Sequence, residues 1–244
     1  MQAVLLAAGM GIRLRPYTEE LPKTLLEVQG RPVVDYILGS LDVPQIEEVL
    51  VVGGFEFPRL VAHLECHGGR VRPIENTDYR VGSVRTVEKA LPFVQGSFLL
   101  LNGDHIHPRE MIRRFIAGAE GIACACDRDR ELGADDMKIR LRGGAVHRID
   151  KQLTEFDCGY IGMTICHAEQ LETYRAYAAR TLESRGEAAN VEAIVQELAD
   201  GGERPTAVDL SGLGWVELDT EDDLRNANLQ VRDNPNLRAL LPIE

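Results

Sequence analysis

An α/β fold, with a mostly parallel sheet flanked by helices, is predicted by the order in which apolar runs alternate with segments of helical spacing along the 244 residues. A second sign is the run at residues 98–102, apolar at every position but the last, as expected of a central strand covered on both faces. A third is the first run, residues 4–8, which passes directly into a glycine-rich loop.

Taken in order, residues 4–8 form the first strand, 33–41 a helix, 49–53 a strand, 58–67 a helix, 71–76 a strand and 84–91 a helix ahead of the central strand. Cys124 and Cys126 are spaced to share one face of a buried strand. Residues 138–141 and 146–150, separated by Arg142-Gly143-Gly144, read as a β-hairpin. Residues 159–166 read as a strand, 168–179 as a helix and 191–198 as a helix for which Asn190 offers a cap. Thr220 and Asp223 have the spacing of a capping pair for a helix over 221–228, and residues 234–244 carry no clear element.

Composition excludes several classes. A net charge of -12 opposes nucleic acid or an anionic membrane as the main partner. No apolar run approaches the ~20 residues that span a bilayer, and the N-terminus enters a strand without a charged leader, so a cytoplasmic protein is expected. Five cysteines without a C-x-x-C spacing suit reduced thiols. His63, Cys66 and His67 read as a polar helix face, because no fourth ligand stands at a convincing spacing for structural zinc.

The chemistry begins in the loop. Gly9 and Gly11 let backbone N–H groups approach an anion, while Arg13 and Lys23 add full charges suited to a polyphosphate. A dinucleotide-binding loop would have a third glycine where Leu14 stands, and a P-loop would close on Gly-Lys-Ser/Thr; neither pattern is present. Asp104 follows the central strand and Asp219 a short strand before a helix, the ends at which ligands of open α/β sheets collect. Together they suit Mg2+, which prefers one or two carboxylates, phosphate oxygens and water.

The stretch G-x-G-x-R-L-x-P-x-T-x-x-x-P-K-x-L from Gly9 to Leu25 resembles the signature of the nucleotidyltransferases that activate sugar and alcohol phosphates. Asn102-Gly103-Asp104-His105 resembles their second signature, and Trp215-Val216-Glu217-Leu218-Asp219-Thr220 their metal-binding segment. Lys138-Ile139-Arg140, Arg148 to Lys151 and Glu155 to Cys158 look most like the inositol-1-phosphate cytidylyltransferases and the related phosphocholine and phosphonate cytidylyltransferases.

The resemblance implies a Rossmann-like sheet of the nucleotide-diphospho-sugar transferase type, in one domain over residues 1–232. Residues 1–120 would form its nucleotide-binding part and 121–232 its acceptor-binding part, with the hairpin as a small subdomain and residues 233–244 as a tail or a linker to a fused enzyme such as phosphoenolpyruvate mutase. It implies Mg2+-dependent transfer of CMP from CTP to a small phosphate or phosphonate, with Arg13, Lys23, Asp104 and Asp219 catalytic. Leu6, Ala7, Ala8, Gly9, Met10 and Gly11 would line the nucleotide site together with residues 79–86. There Gly82 would allow a close approach, and Ser83 is open to two roles, a hydroxyl on a pyrimidine edge or a helix cap. Glu217 is implied as a third metal ligand, and Lys138, Lys151 and His105 as acceptor contacts; homodimerisation is left open.

Two departures shift the expected acceptor. Asp150-Lys151-Gln152 replaces the Glu-Lys-Pro of sugar-phosphate relatives, favouring the CTP-using branch, and Gly159-Tyr160-Ile161 replaces the Asp-Thr-Gly of inositol-type relatives, favouring a phosphonate. The rival readings are a sugar-1-phosphate nucleotidyltransferase and a non-catalytic nucleotide sensor.

Overall fold

Alternation within the apolar runs sets the architecture of the computed structural model, which describes residues 1–240. In strand β1 (Gln2–Ala7), Ala3, Leu5 and Ala7 face one helical layer while Val4 and Leu6 face the other. The chain continues through a short pair, β2 (Glu27–Val28) and β3 (Arg31–Pro32), to helix α1 (Val33–Ser40), β4 (Glu48–Gly53) and α2 (Phe57–Leu64). Next come β5 (Val71–Glu75), α3 (Ser83–Ala90), β6 (Phe98–Asn102), β7 (His105–Ile106), α4 (Arg109–Gly118) and β8 (Ile122–Asp127). The hairpin β9 (Lys138–Arg142) and β10 (Ala145–Asp150) leads to β11 (Cys158–Cys166), α5 (Leu171–Arg185), α6 (Glu192–Asp200) and β12 (Thr206–Asp209). β13 (Val216–Glu217), α7 (Glu221–Asp233) and α8 (Pro235–Arg238) close the described chain.

Nine strands form one sheet in the order β5-β4-β1-β6-β11-β8-β12-β10-β9. Its first four strands are parallel. β11 runs antiparallel to both neighbours, β12 is parallel to β8, and the hairpin joins through β12 and β11. The sheet is therefore mixed, and the mostly parallel expectation describes its first half. An apolar run such as residues 159–166 reads the same in either direction, so strand polarity is not in the pattern. The expected hairpin is an edge of this same sheet.

Helices cover both faces. Tyr36 of α1, Phe115 of α4 and Val231 of α7 pack on one side, and Val87 of α3, Tyr174 of α5 and Ile194 of α6 on the other. Leu99 and Leu101 point into the first layer, Phe98 and Leu100 into the second, and all are buried. Truncating any of these leucines to Ala is expected to cost about 2–5 kcal/mol. Cys124 and Cys126 do share one face of β8, and all five cysteines are free.

Element ends differ from expectation by up to about two turns. A 3-10 turn, Glu65–His67, continues α2 to the expected end. Another, Ala168–Gln170, precedes α5, which runs on to Gly186 at φ +77°. Val191, not Asn190, occupies the N-cap position of α6. The Thr220–Asp223 capping box is formed at both bonds, and α7 extends to Asp233. α8 lies in the expected tail, whose last four residues fall outside the described ones. Among the described residues no helix is long and apolar enough to cross a membrane.

One feature of the strand order places the site. β4 and β5 lie on one side of β1 and β6 on the other, so a crevice opens beyond the carboxyl ends of β1 and β6, where open α/β sheets bind ligands.

Candidate active site

The loop after β1 enters that crevice and is shaped by backbone contacts. Gly11 sits at φ +59°, and its carbonyl accepts from Thr18 Oγ1 at 2.7 Å. Two short 3-10 turns follow, Ile12–Leu14 and Lys23–Leu25, anchored by buried Leu14 and Leu25, and they aim Arg13 and Lys23 back over the strand ends. On the neighbouring strand the Gly103 N–H donates to the Leu6 carbonyl at 2.9 Å. A Cβ at Gly103 would lie 2.4 Å from that oxygen, so only glycine lets the two strand ends meet so closely.

The fold brings Arg13, Lys23, Asp104 and Asp219 together. The Lys23 ammonium donates to Asp104 Oδ2 at 2.9 Å and to Asp219 Oδ1 at 3.0 Å, and the Arg13 guanidinium pairs with the other oxygen of Asp219. His105 Nδ1 lies 2.6 Å from Asp104 Oδ1. Burial works against each charge, yet partners outweigh it. It pushes Lys23 down, but Asp104 and Asp219 raise it above its ordinary value. It pushes Asp104 up, but Lys23 and then His105 hold its carboxyl well below the usual range. Against burial, Asp104 likewise raises the His105 imidazole. Two carboxylates converging on one ammonium make an oxygen-donor set that fits a hard cation such as Mg2+.

A cavity of 560 Å3 opens over this cluster. Residues 6–11 line it, with Arg13, Lys23, residues 79–83, Asp104, His105, Lys151, Glu217 and Asp219. A second cavity of 510 Å3 adjoins it and shares Arg13, Arg130, Asp135, Asp136, Glu217 and Asp219. Between them His105 stacks on Trp215, with ring centroids 5.1 Å apart at 6°. The Arg130 guanidinium lies 4.2 Å from the Trp215 ring, and the indole N–H donates to Asp127 Oδ2 at 2.5 Å. Asp127 Oδ1 is buried without a hydrogen-bond partner among the described residues.

Four expected residues stand differently. Glu217 does not join Asp104 and Asp219. β13 ends at this residue, the Leu218 N–H donates to the Asp104 carbonyl, and the chain turns into the α7 cap, so Glu217 faces His105 Nε2 and Arg130, each at 3.9 Å. Lys138 is buried with its ammonium on the carbonyls of Gly133, Asp136 and Lys151, outside the cavity lining, where it ties the loop to the hairpin. A Cβ at Gly82 would lie 2.1 Å from the Ala189 carbonyl, so the close approach there is between backbones. The Ser83 hydroxyl caps no helix but accepts from the Val191 N–H at 2.8 Å, with Gly82 at the N-cap.

Several lining residues carried no readable signal. Arg130, Asp135 and Asp136 lie between β8 and β9 and belong to no motif, and Asn190 and Glu192 fall at the expected start of the helix over 191–198. Glu192 is a carboxylate pushed up by burial, with the neighbouring Asn102 side chain opposing the shift. Gly162, at φ +74°, lets β11 bulge beneath His105; a Cβ there would lie 2.8 Å from the imidazole.

These features coincide with a known family. Residues 3–200 match the model of the MobA-like NTP transferase domain, and the chain belongs to that family of nucleotidyltransferases. It is 34% identical over 228 residues to a bifunctional IPC transferase and DIPP synthase of Rubrobacter xylanophilus, covering 91% of this chain and 50% of that protein. It is 29% identical over 251 residues to a CMP-5'-(3-aminopropyl)phosphonate synthase of Streptomyces rubellomurinus, covering 94% and 38%. The chain thus spans half or less of the length of these relatives. The fold matches the inositol-1-phosphate CTP transferase of T. maritima with a TM-score of 0.81 at 20% identity, covering 95% and 96% of the two chains. It also matches the CTP:phosphocholine cytidylyltransferase LicC of Streptococcus pneumoniae with a TM-score of 0.72 at 19% identity, covering 94% and 98%.

Proposed function

We propose that this protein is a Mg2+-dependent cytidylyltransferase that transfers CMP from CTP to a small non-sugar phosphate or phosphonate and releases pyrophosphate. The observation that carries the reading is the Lys23 ammonium held between Asp104 and Asp219, with Arg13 alongside, at the ends of β1 and β6. The names of the cytidyl-transferring relatives support the choice of CTP.

In this reaction an acceptor oxygen attacks the α-phosphorus, a P–O bond forms to it, and the bond to the β-phosphate oxygen breaks with its electron pair leaving on pyrophosphate. The acceptor needs no general base, since the second pKa of a phosphate monoester is ~6. The residues therefore position and neutralise. The loop backbone from Ala8 to Gly11 approaches the triphosphate, Arg13 grips phosphate oxygens through its planar fork, and Lys23 supplies a point charge. Triphosphate oxygens compete with Asp219 and Asp104 for these two cations, freeing carboxylate oxygens. Asp104 and Asp219 are the residues that would hold Mg2+, which neutralises phosphate charge when bound.

The adjoining cavity favours an acceptor that carries an amine. Asp127, Asp129, Asp135, Asp136 and Asp223 line it beside the Trp215 ring, and one buried Asp127 oxygen has no hydrogen-bond partner among the described residues. A free ammonium could replace Arg130 on that aromatic face. Location in the cytoplasm, pairing into homodimers and fusion to a second pathway enzyme belong to this same reading.

Pyrophosphate release with Mg2+ tests it, crossing CTP, UTP, GTP, ATP and dTTP with aminoalkylphosphonates, phosphocholine, inositol 1-phosphate and glucose 1-phosphate. Release with CTP and an amine-bearing acceptor is expected. Release only with glucose 1-phosphate would establish the sugar-phosphate reading. Nucleotide binding without turnover on any acceptor would favour a sensor.

A further inference from the structure

We propose that Asp35, His63 and His67 form a second metal site, for a divalent transition ion of the zinc type, apart from the catalytic cleft. His63 lies on the last turn of α2 and His67 on the 3-10 turn that continues it, so the four-residue spacing sets both imidazoles on one side. Asp35 reaches them from the first turn of α1. His63 Nε2 lies 2.6 Å and His67 Nε2 3.0 Å from the same oxygen, Asp35 Oδ1, and the three donor atoms lie within 4.8 Å of one another. Among the described residues no other set of three His, Cys, Asp or Glu side chains converges in this way. None of the three lines the catalytic cavity.

The chemistry of the donors selects the ion. Two imidazoles and one carboxylate suit Zn2+ and its first-row neighbours, with water completing the shell, whereas Mg2+ and Ca2+ prefer oxygen alone. The side chains are 14%, 26% and 22% exposed for Asp35, His63 and His67, shielded from bulk water yet open on one side. Arg31 Nε stands 3.8 Å from Asp35 Oδ2, which leaves Oδ1 to the imidazoles. Cys66, between the two histidines in sequence, donates its thiol to the His63 carbonyl at 3.0 Å and stays outside the set. The sequence spacing alone argued against zinc because the carboxylate comes from a different helix, and three protein ligands with water need no fourth side chain. An ion here would pin α1 to α2, a contribution to stability rather than to phosphoryl transfer.

Hydrogen bonding alone would need a proton on both Nε2 atoms, whereas a metal needs both lone pairs, so metal titration decides. Chelator-treated full-length protein is titrated with Zn2+ and with Co2+ in excess Mg2+, which occupies the oxygen ligands of the cleft. One equivalent of Zn2+ should bind and raise Tm, and Co2+ should give the visible bands of a nitrogen-ligated ion. His63→Ala and His67→Ala should each weaken Zn2+ binding by more than about tenfold and abolish the Tm shift, with pyrophosphate release unchanged. If either unfolds by circular dichroism, Asp35→Asn keeps the side-chain shape and should show the same loss. Zn2+ binding as tight in these variants as in the wild type, no binding in the wild type, or binding lost only in Asp219→Asn would each overturn the site.

Discussion

Where β1 and β6 end, the cleft wall is made of backbone: Gly103 donates to Leu6, Gly11 turns at positive φ, and two short turns carry Arg13 and Lys23 into paired positions. Across the cleft the wall is made of side chains from separate elements, with Arg130 on Trp215, Trp215 on His105, and Asp127 beneath. The first wall can vary little, because its backbone geometry requires glycine at 103 and favours it at the left-handed turn of Gly11. The second can be remade by exchanging side chains on a loop and a short strand. A fixed wall suits a triphosphate, and an exchangeable one suits an acceptor of the kind that differs between the named relatives.

The comparison breaks first if the ion cluster is dispensable. Lys23→Ala removes the ammonium shared by Asp104 and Asp219, and kcat should fall on the order of 10²–10³-fold, measured as pyrophosphate release. Glycines separate packing from binding within the backbone wall. Gly103→Ala sets a Cβ 2.4 Å from a carbonyl and should lower urea-unfolding stability by about 1–3 kcal/mol. Gly9→Ala meets nothing within 4 Å, so stability should stay within about 0.5 kcal/mol while the KM for CTP rises. Equal stability losses in the two variants would erase the distinction between them.

A smaller, pH-dependent effect sharpens the other wall. Burial and then His105 push the His107 imidazole down to about 3, while its Nε2 lies 2.7 Å from the Ile161 carbonyl. The unfolded chain takes up this proton near ~6.5, so the contribution of His107 is complete above that pH and is lost as pH falls toward the folded value, by roughly 1.4 kcal/mol per unit. His105, raised by Asp104, acts in the opposite sense: its contribution is present below ~6.5 and lost as pH rises through its folded value. Urea unfolding of His107→Phe should therefore lose less stability between pH 7 and 5 than the wild type does. The smallest effect expected is that of Arg130→Ala, which should change the acceptor KM a few-fold and leave the KM for CTP unchanged, read from initial rates.

The same division decides what was legible in the sequence. Backbone devices leave local signatures: the Thr220–Asp223 cap is legible from spacing, the glycines and cations from Gly9 to Lys23 from residue chemistry, and the Asn102-Gly103-Asp104 turn through its resemblance to a family signature. α4 was missed because Arg109, Glu110, Arg113 and Arg114 mask the buried stripe of Met111, Ile112 and Phe115. Antiparallel β11 and the short strand β12, inserted between β8 and β10, carry no sign of direction or of partner. Lys138 reads as a surface lysine near the acceptor, and only the folded hairpin shows its ammonium spent on three carbonyls. The convergence of Asp35 with His63 and His67 is likewise a product of two helices meeting.

The most direct measurement is single-turnover transfer by Asp104→Asn and Asp219→Asn, with CTP binding followed in parallel. If these carboxylates serve the chemistry, transfer drops on the order of 10²-fold or more while CTP still binds and the fold is retained. Transfer at the wild-type rate in both variants would contradict the assignment of the cluster as the catalytic centre.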